Sequence, residues 1–223
     1  MKVPAAWVAA LATLCLPPAH AGPARYVHTP SVEYGEREIE LVAGGQRGGG
    51  ERREDAALVQ LGVGLTERWF TEIGTEFSQD SDTGTRLETV DWENVFQLTE
   101  DDEYPIVLGA LLEVERAQDR DEGYGIRFGP LLQADLGRFR LNANLLFERT
   151  FDAKEKSETE LGYEWQVKYR WKPLLELGAM GFGDTGQWDD WESSGEQKHQ
   201  MGPAVFGKLP LGERQTLKYD AGW

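Results

Sequence analysis

Residues 138–172 alternate at every second position between apolar or aromatic and polar side chains. Phe139, Leu141, Ala143, Leu145 and Phe147 form one apolar series, and Leu161, Tyr163, Trp165, Val167, Tyr169 and Trp171 form a second. A period of two is typical of β-strands, because successive side chains point to opposite faces. Residues 152–158 are charged and predict a loop. The stretch therefore predicts an antiparallel hairpin with one apolar face and one polar face.

The same alternation recurs along the rest of the chain. Asn94 falls on the apolar face of the fourth predicted strand, and the tenth strand lacks clean alternation. Several even-numbered connections are very short, and most odd-numbered ones are longer and polar. The predicted strands cover about residues 36–46, 57–66, 69–77, 86–98, 106–115, 124–135, 138–148, 161–172, 175–180, 197–208 and 217–223.

Aromatic residues mark the ends of several predicted strands, with aliphatic residues between them. From Phe139 to Phe147 a strand spans about 27 Å, which in a tilted strand matches the roughly 25 Å apolar band of outer-membrane barrels. We therefore expect an all-β, antiparallel transmembrane barrel in the Gram-negative outer membrane, with its amino terminus in the periplasm. Outer-membrane lipid, lipopolysaccharide and the barrel-assembly machinery are the expected partners.

The strand count raises a question about closure. Eleven strands are found, but bacterial single-chain barrels use even numbers. We therefore expect a barrel of about twelve strands, whose closing strand is missing beyond Trp223 and pairs near Ile39. A ten-strand barrel that ends with the alternation of residues 217–223 is the alternative.

The chain divides into a leader, a lead-in segment and the barrel. Lys2, the apolar residues 5–16 and the sequence Ala19-His20-Ala21 predict a signal peptide over residues 1–21. Residues 22–34 lack alternation and predict an extended periplasmic lead-in, and residues 35–223 form the barrel. The single cysteine, Cys15, falls in the leader, so the exported chain needs no disulfide.

Charge on the inward faces supplies the candidate functional residues. The chain has 39 acidic and 23 basic residues, a formal net charge of −16, which argues against nucleic-acid partners. A predicted acidic wall comprises Glu38, Glu40, Glu72, Glu76, Asp91, Glu93, Glu113 and Glu115. A predicted basic wall comprises Arg127, Arg138, Arg140, Lys168, Arg170 and Lys172.

Opposed charged walls in a water-filled lumen select charged solutes, so the pattern predicts a passive porin or transporter-like channel for small solutes. The alternative is that these charges pair and stabilise a filled, non-conducting barrel. Carboxylate pairs at these spacings follow from strand alternation, and the chain holds no phosphate-binding glycine loop or nucleophile elbow. We expect neither enzymatic activity nor a cofactor.

A metal-handling alternative rests on soft donor atoms. His199 and Met201, with Met180 nearby in the barrel order, are of the type that binds copper.

The segment from Tyr26 to Glu40 resembles the start of proteobacterial outer-membrane porins or transporters, including barrels associated with aromatic degradation. The residues that carry this resemblance are Tyr26-Val27-His28-Thr29-Pro30 and Val32-Glu33-Tyr34-Gly35-Glu36-Arg37-Glu38-Ile39-Glu40. The resemblance implies a channel-like barrel without a defined substrate and assigns no functional residue. A structural or lipopolysaccharide-binding barrel and a secreted soluble β-sandwich remain alternatives.

Overall fold

Eleven strands form one closed sheet in the computed structural model, which describes residues 24–47, 53–80, 84–100, 105–154 and 157–222. The predicted signal peptide and Trp223 lie outside these residues. The strands are β1 (Arg37–Arg47), β2 (Arg53–Thr66), β3 (Trp69–Asp80), β4 (Gly84–Gln97), β5 (Ile106–Ala117), β6 (Tyr124–Leu136), β7 (Phe139–Phe151), β8 (Glu160–Lys172), β9 (Leu175–Gln187), β10 (Lys198–Pro210) and β11 (Gln215–Gly222).

Each strand pairs antiparallel with the next, and β1 pairs parallel with β11 to close the barrel. The parallel pair is a geometric consequence of the odd strand number, since β1 and β11 then run in the same direction. Ile39 lies opposite Leu217 in this pair. The all-β barrel and its eleven strands are confirmed, but the sheet is mixed instead of fully antiparallel. The twelfth strand predicted to pair near Ile39 is not needed for closure, because β11 occupies that edge.

The two ends of the barrel differ in their connections. At the short-turn end, connections as short as residues 67–68, 137–138 and 173–174 join consecutive strands. Gly137 has φ of 62°, a value that a tight hairpin turn requires and that glycine adopts readily. At the long-loop end the connection between β5 and β6 spans residues 118–123 and contains a single-turn 3-10 helix, Arg120–Glu122.

No helix among the described residues is long and apolar enough to cross a membrane.

Most large side chains on the outside of the barrel are apolar and exposed, whereas the interior combines buried polar side chains with small buried apolar clusters. Leu145 on β7 is 51% exposed, and Gln166 on β8 is 0% exposed. Cross-strand aromatic pairs stack near both ends, with Trp69 against Phe96 and Phe128 against Phe147. The predicted alternation therefore assigns the two faces correctly.

Asn94 lies on the apolar face, yet its side chain is buried. Its Oδ1 accepts hydrogen bonds from the Trp69 indole and the Thr71 hydroxyl, both at 3.0 Å. Two exterior side chains of β3 thus satisfy the amide oxygen of the residue that disturbed the alternation of β4.

Residues 24–34 are named here the lumenal segment: residues 24–32 lie inside the barrel, and Glu33 and Tyr34 are exposed where the segment joins β1. Ala24 packs against Val42 and Leu58 in the half of the barrel near the long loops. The Val32 amide donates a hydrogen bond to the Gln97 side chain near the short-turn end. The sequence predicted an extended lead-in outside the barrel. The segment instead runs through the interior, because the polar inner wall supplies partners for a backbone that has no strand neighbour.

Candidate functional site in the barrel lumen

Side chains of the barrel wall satisfy the backbone of the lumenal segment. The His28 amide donates to Glu164 Oε1 at 2.8 Å, and its carbonyl accepts from Asn144 Nδ2 at 2.9 Å. The Val32 amide donates to Gln97 Oε1 at 2.7 Å. Buried backbone groups without partners are costly, so these bonds hold the segment at one defined depth.

The wall also makes room for the segment. An added Cβ at Gly64 would lie 2.0 Å from the Glu33 carbonyl oxygen, and one at Gly109 would lie 2.7 Å from Pro30 Cβ. Val27 packs on the opposite side in a buried cluster with Phe182 and Phe206. Glycines in these strands therefore permit close backbone approach.

His28 is the electrostatic centre of the lumen. Its Nδ1 lies 2.6 Å from Glu164 Oε1, and its Nε2 lies 3.0 Å from Glu93 Oε2. The Tyr26 hydroxyl donates to Glu93 Oε2 at 2.6 Å and accepts from Gln60 Nε2 at 2.8 Å. The imidazole thus links carboxylates on β4 and β8 across the barrel.

Two chambers flank this network, and Tyr26 and His28 line both. The long-loop chamber has a volume of about 220 Å³ and the short-turn chamber about 350 Å³. Eight carboxylates line the long-loop chamber beside two arginines, Arg25 and Arg127. Eight also line the short-turn chamber, beside four cationic side chains other than His28. Carboxylates therefore outnumber fixed cations in both chambers.

All eight residues of the predicted acidic wall face the lumen. Glu38, Glu40, Glu72 and Glu93 line the short-turn chamber, and Glu76, Asp91, Glu113 and Glu115 line the long-loop chamber.

The predicted basic wall is only partly inside the lumen. Arg127, Arg140 and Lys168 line the chambers. Arg127 Nη2 binds Glu113 Oε2 at 2.5 Å, and Lys168 Nζ lies 4.2 Å from the centre of the Phe206 ring.

Arg170 lies near the short-turn rim, where Asp135 binds both Arg140 and Arg170, at 2.8 and 3.1 Å. Arg138 and Lys172 do not line the lumen. Arg138 is exposed in the turn before β7, and Lys172 is exposed at the last residue of β8, beyond the reach of the interior. The wall opposite the acidic wall therefore carries both positive and negative side chains. Its carboxylates include Glu148 and Glu164.

Other lumenal residues were missed by the sequence reasoning. Glu164 and Lys218 follow the same inward alternation as the predicted residues, so the pattern could have identified them. Tyr26 and His28 belong to a segment without periodicity, and no sequence signal placed them inside.

One group of side chains has the composition of a metal site. Ligand atoms of His28, Glu93 and Glu113 all lie within 4.8 Å of one another. Each residue already has a partner, because Glu164 binds His28, Tyr26 binds Glu93 and Arg127 binds Glu113. The group is accordingly satisfied as an ion-pair network.

Met180 does not lie with the other two predicted soft-metal donors. His199 and Met201 point outward from β10, with Met201 66% exposed, whereas Met180 is buried inside. Met180 pairs in register with Gly202, and so it lies on the opposite face of the sheet from Met201.

A scan against protein-family models gave no match, and neither did a search of curated protein sequences.

Proposed function

We propose that this protein is an outer-membrane channel for small cationic solutes. Its lumenal segment closes the channel. The observation that carries the proposal is the pair of acid-rich chambers, one on each side of the network at Tyr26 and His28.

The exterior of the barrel supports a membrane location. Exposed apolar side chains surround the sheet, including Ile73 at 62% and Leu145 at 51%. Water-soluble proteins rarely expose contiguous apolar patches of this kind, whereas lipid satisfies them.

The charge balance supports a preference for cations. In a narrow lumen, the sign of the fixed charge sets the ion preference through short-range electrostatics. The long-loop chamber has eight carboxylates and two arginines. Cations are therefore the solutes that this lumen concentrates.

The lumenal segment supplies the means of closure. Tyr26 and His28 separate the chambers and are tied to opposite walls through Glu93 and Glu164. Conduction then requires these contacts to break and water to replace the segment.

A filled structural barrel is the second candidate, and the tight fit of the segment favours it. His28 is buried, and glycines in the wall match the segment closely. In that case the lumen never opens and the charges serve stability alone.

Single-channel recording in a planar bilayer with a KCl gradient tests the proposal. We expect a reversal potential of the sign that marks cation preference. The triple variant Glu76→Gln, Asp91→Asn and Glu115→Gln should shift it toward zero, because it removes three carboxylates from the long-loop chamber.

A matched control neutralises three exposed acidic residues outside the chambers, Asp189, Asp190 and Glu213. This control should keep the wild-type reversal potential. Absence of current from folded protein in every variant would favour the structural barrel.

A further inference from the structure

Four carboxylates lie in register across neighbouring strands of the barrel wall. In the strand register Glu38 lies opposite Gly62, Gly62 opposite Glu72, Glu72 opposite Glu93, and Glu93 opposite Glu113. We name Glu38, Glu72, Glu93 and Glu113 the carboxylate row. All four side chains are buried.

Three members of the carboxylate row have a cationic partner. Lys218 Nζ binds Glu38 Oε1 at 2.5 Å, and Arg127 Nη2 binds Glu113 Oε2 at 2.5 Å. His28 Nε2 lies 3.0 Å from Glu93 Oε2.

Glu72 is the fourth member and has no such partner among the described residues. It is 4% exposed, makes no ion pair there, and its buried Oε2 has no hydrogen-bond partner. A Cβ at Gly62 would lie 2.9 Å from this oxygen, so the carboxylate extends over the glycine toward β1. A buried charge without a partner is strongly unfavourable, and a bound ion is one way to offset it.

Glu40 adds to the negative charge of the same chamber. It faces the short-turn chamber that Glu72 lines, and it lies opposite Lys218 in register. Lys218 already binds Glu38, so one ammonium group serves two carboxylates.

We propose that Glu72, together with Glu40, binds a small hard cation in the short-turn chamber. Carboxylate oxygens are the ligands that Ca²⁺ and Mg²⁺ prefer, and the chamber of about 350 Å³ leaves room for coordinating water. The inference deepens the proposed function, because it identifies a point at which the acidic lumen holds its cation.

Calorimetric titration of the purified, detergent-folded protein with Ca²⁺ alone tests this inference. Wild-type protein should bind Ca²⁺, and Glu72→Gln should weaken binding at least about tenfold, the effect of losing about 1.4 kcal/mol. Glu40→Gln should weaken it in the same direction. The control Asp189→Asn changes an exposed carboxylate that lines neither chamber, and it should keep wild-type affinity.

A second measurement follows unfolding by heat. Without Ca²⁺, Glu72→Gln should unfold at a temperature no lower than wild type, because the variant removes a buried carboxyl group that has no ionic partner among the described residues. Wild type should gain stability on adding Ca²⁺, and Glu72→Gln should not.

Equal Ca²⁺ affinity in wild type and Glu72→Gln would overturn the inference, as would no binding by wild type. Bilayer conductance is independent of both measurements. Ca²⁺ binding at Glu72 without current would refute the channel and support the site. Current without Ca²⁺ binding would refute the site and support the channel.

Discussion

Leu145→Arg is expected to lower the free energy of unfolding from a bilayer by about 2 to 4 kcal/mol, the cost of arginine near the midplane of a membrane barrel. Leu145 lies at the centre of β7 and is 51% exposed on the outer face. If that face contacted water, the same substitution would change the free energy of unfolding by no more than about 0.5 kcal/mol, as surface substitutions usually do. Urea unfolding of protein folded into lipid vesicles measures the difference.

Leu211→Arg is the matched control. Leu211 is 54% exposed, close to the value of Leu145, but it lies in the connection between β10 and β11 at the short-turn end. At that depth the cost should fall to about 0 to 1 kcal/mol. Equal small effects at both positions would contradict a lipid-facing exterior.

His28→Ala is expected to release the lumenal segment. Removing one partner from a buried ion pair costs about 3 to 5 kcal/mol, because the remaining charge is left unpaired. Here the loss leaves Glu93 and Glu164 without the imidazole that links them. This cost destabilises the state in which the lumenal segment is bound. In the released state water reaches both carboxylates, so the cost does not apply there. A change of 3 kcal/mol corresponds to a factor of roughly 100 in the release equilibrium.

Open probability in single-channel recordings reports this release. It should rise by roughly that factor in His28→Ala until it saturates. His199→Ala, a change at the other histidine of the described chain, should leave it unaltered because His199 points away from the lumen. Unchanged open probability in folded His28→Ala protein would argue that the segment does not gate the lumen.

Strand alternation allowed much of the fold to be predicted from the sequence. A strand in a one-layer barrel has one face toward the polar interior, so its period of two survives in residues such as Trp69, Ile73 and Phe77. The same signal placed Glu72, Glu93 and Glu113 inside. It could not reveal that Arg138 and Lys172 lie beyond the wall, because alternation marks a face and does not mark where the lumen ends.

The alternation could not predict that β11 closes the barrel against β1 or that a segment of the chain occupies the lumen. Pairing of Ile39 with Leu217 is a contact between the two ends of the chain, and no local periodicity encodes it. Tyr26 and His28 lie in a segment without alternation, whose place depends on partners such as Gln60 and Glu164 from separate strands. Such contacts exist only after the barrel has formed.

A reversible tether between the segment and the wall most directly tests closure by residues 24–34. Ser31 Oγ accepts a hydrogen bond from Gln133 Nε2 at 3.0 Å. Ser31→Cys and Gln133→Cys can therefore be joined by a short bifunctional methanethiosulfonate reagent. The His28→Ala chain expressed without residues 1–21 is the background, since it has no other cysteine. Single-cysteine variants treated with the same reagent serve as controls.

Single-channel current through this tethered protein is the decisive measurement. We expect the joined protein to pass no current, and a reducing agent to restore cation-selective steps in the same bilayer. Equal currents before and after reduction, with the tether verified by mass spectrometry, would contradict closure by the lumenal segment. An absence of current in the reduced state would contradict the channel itself.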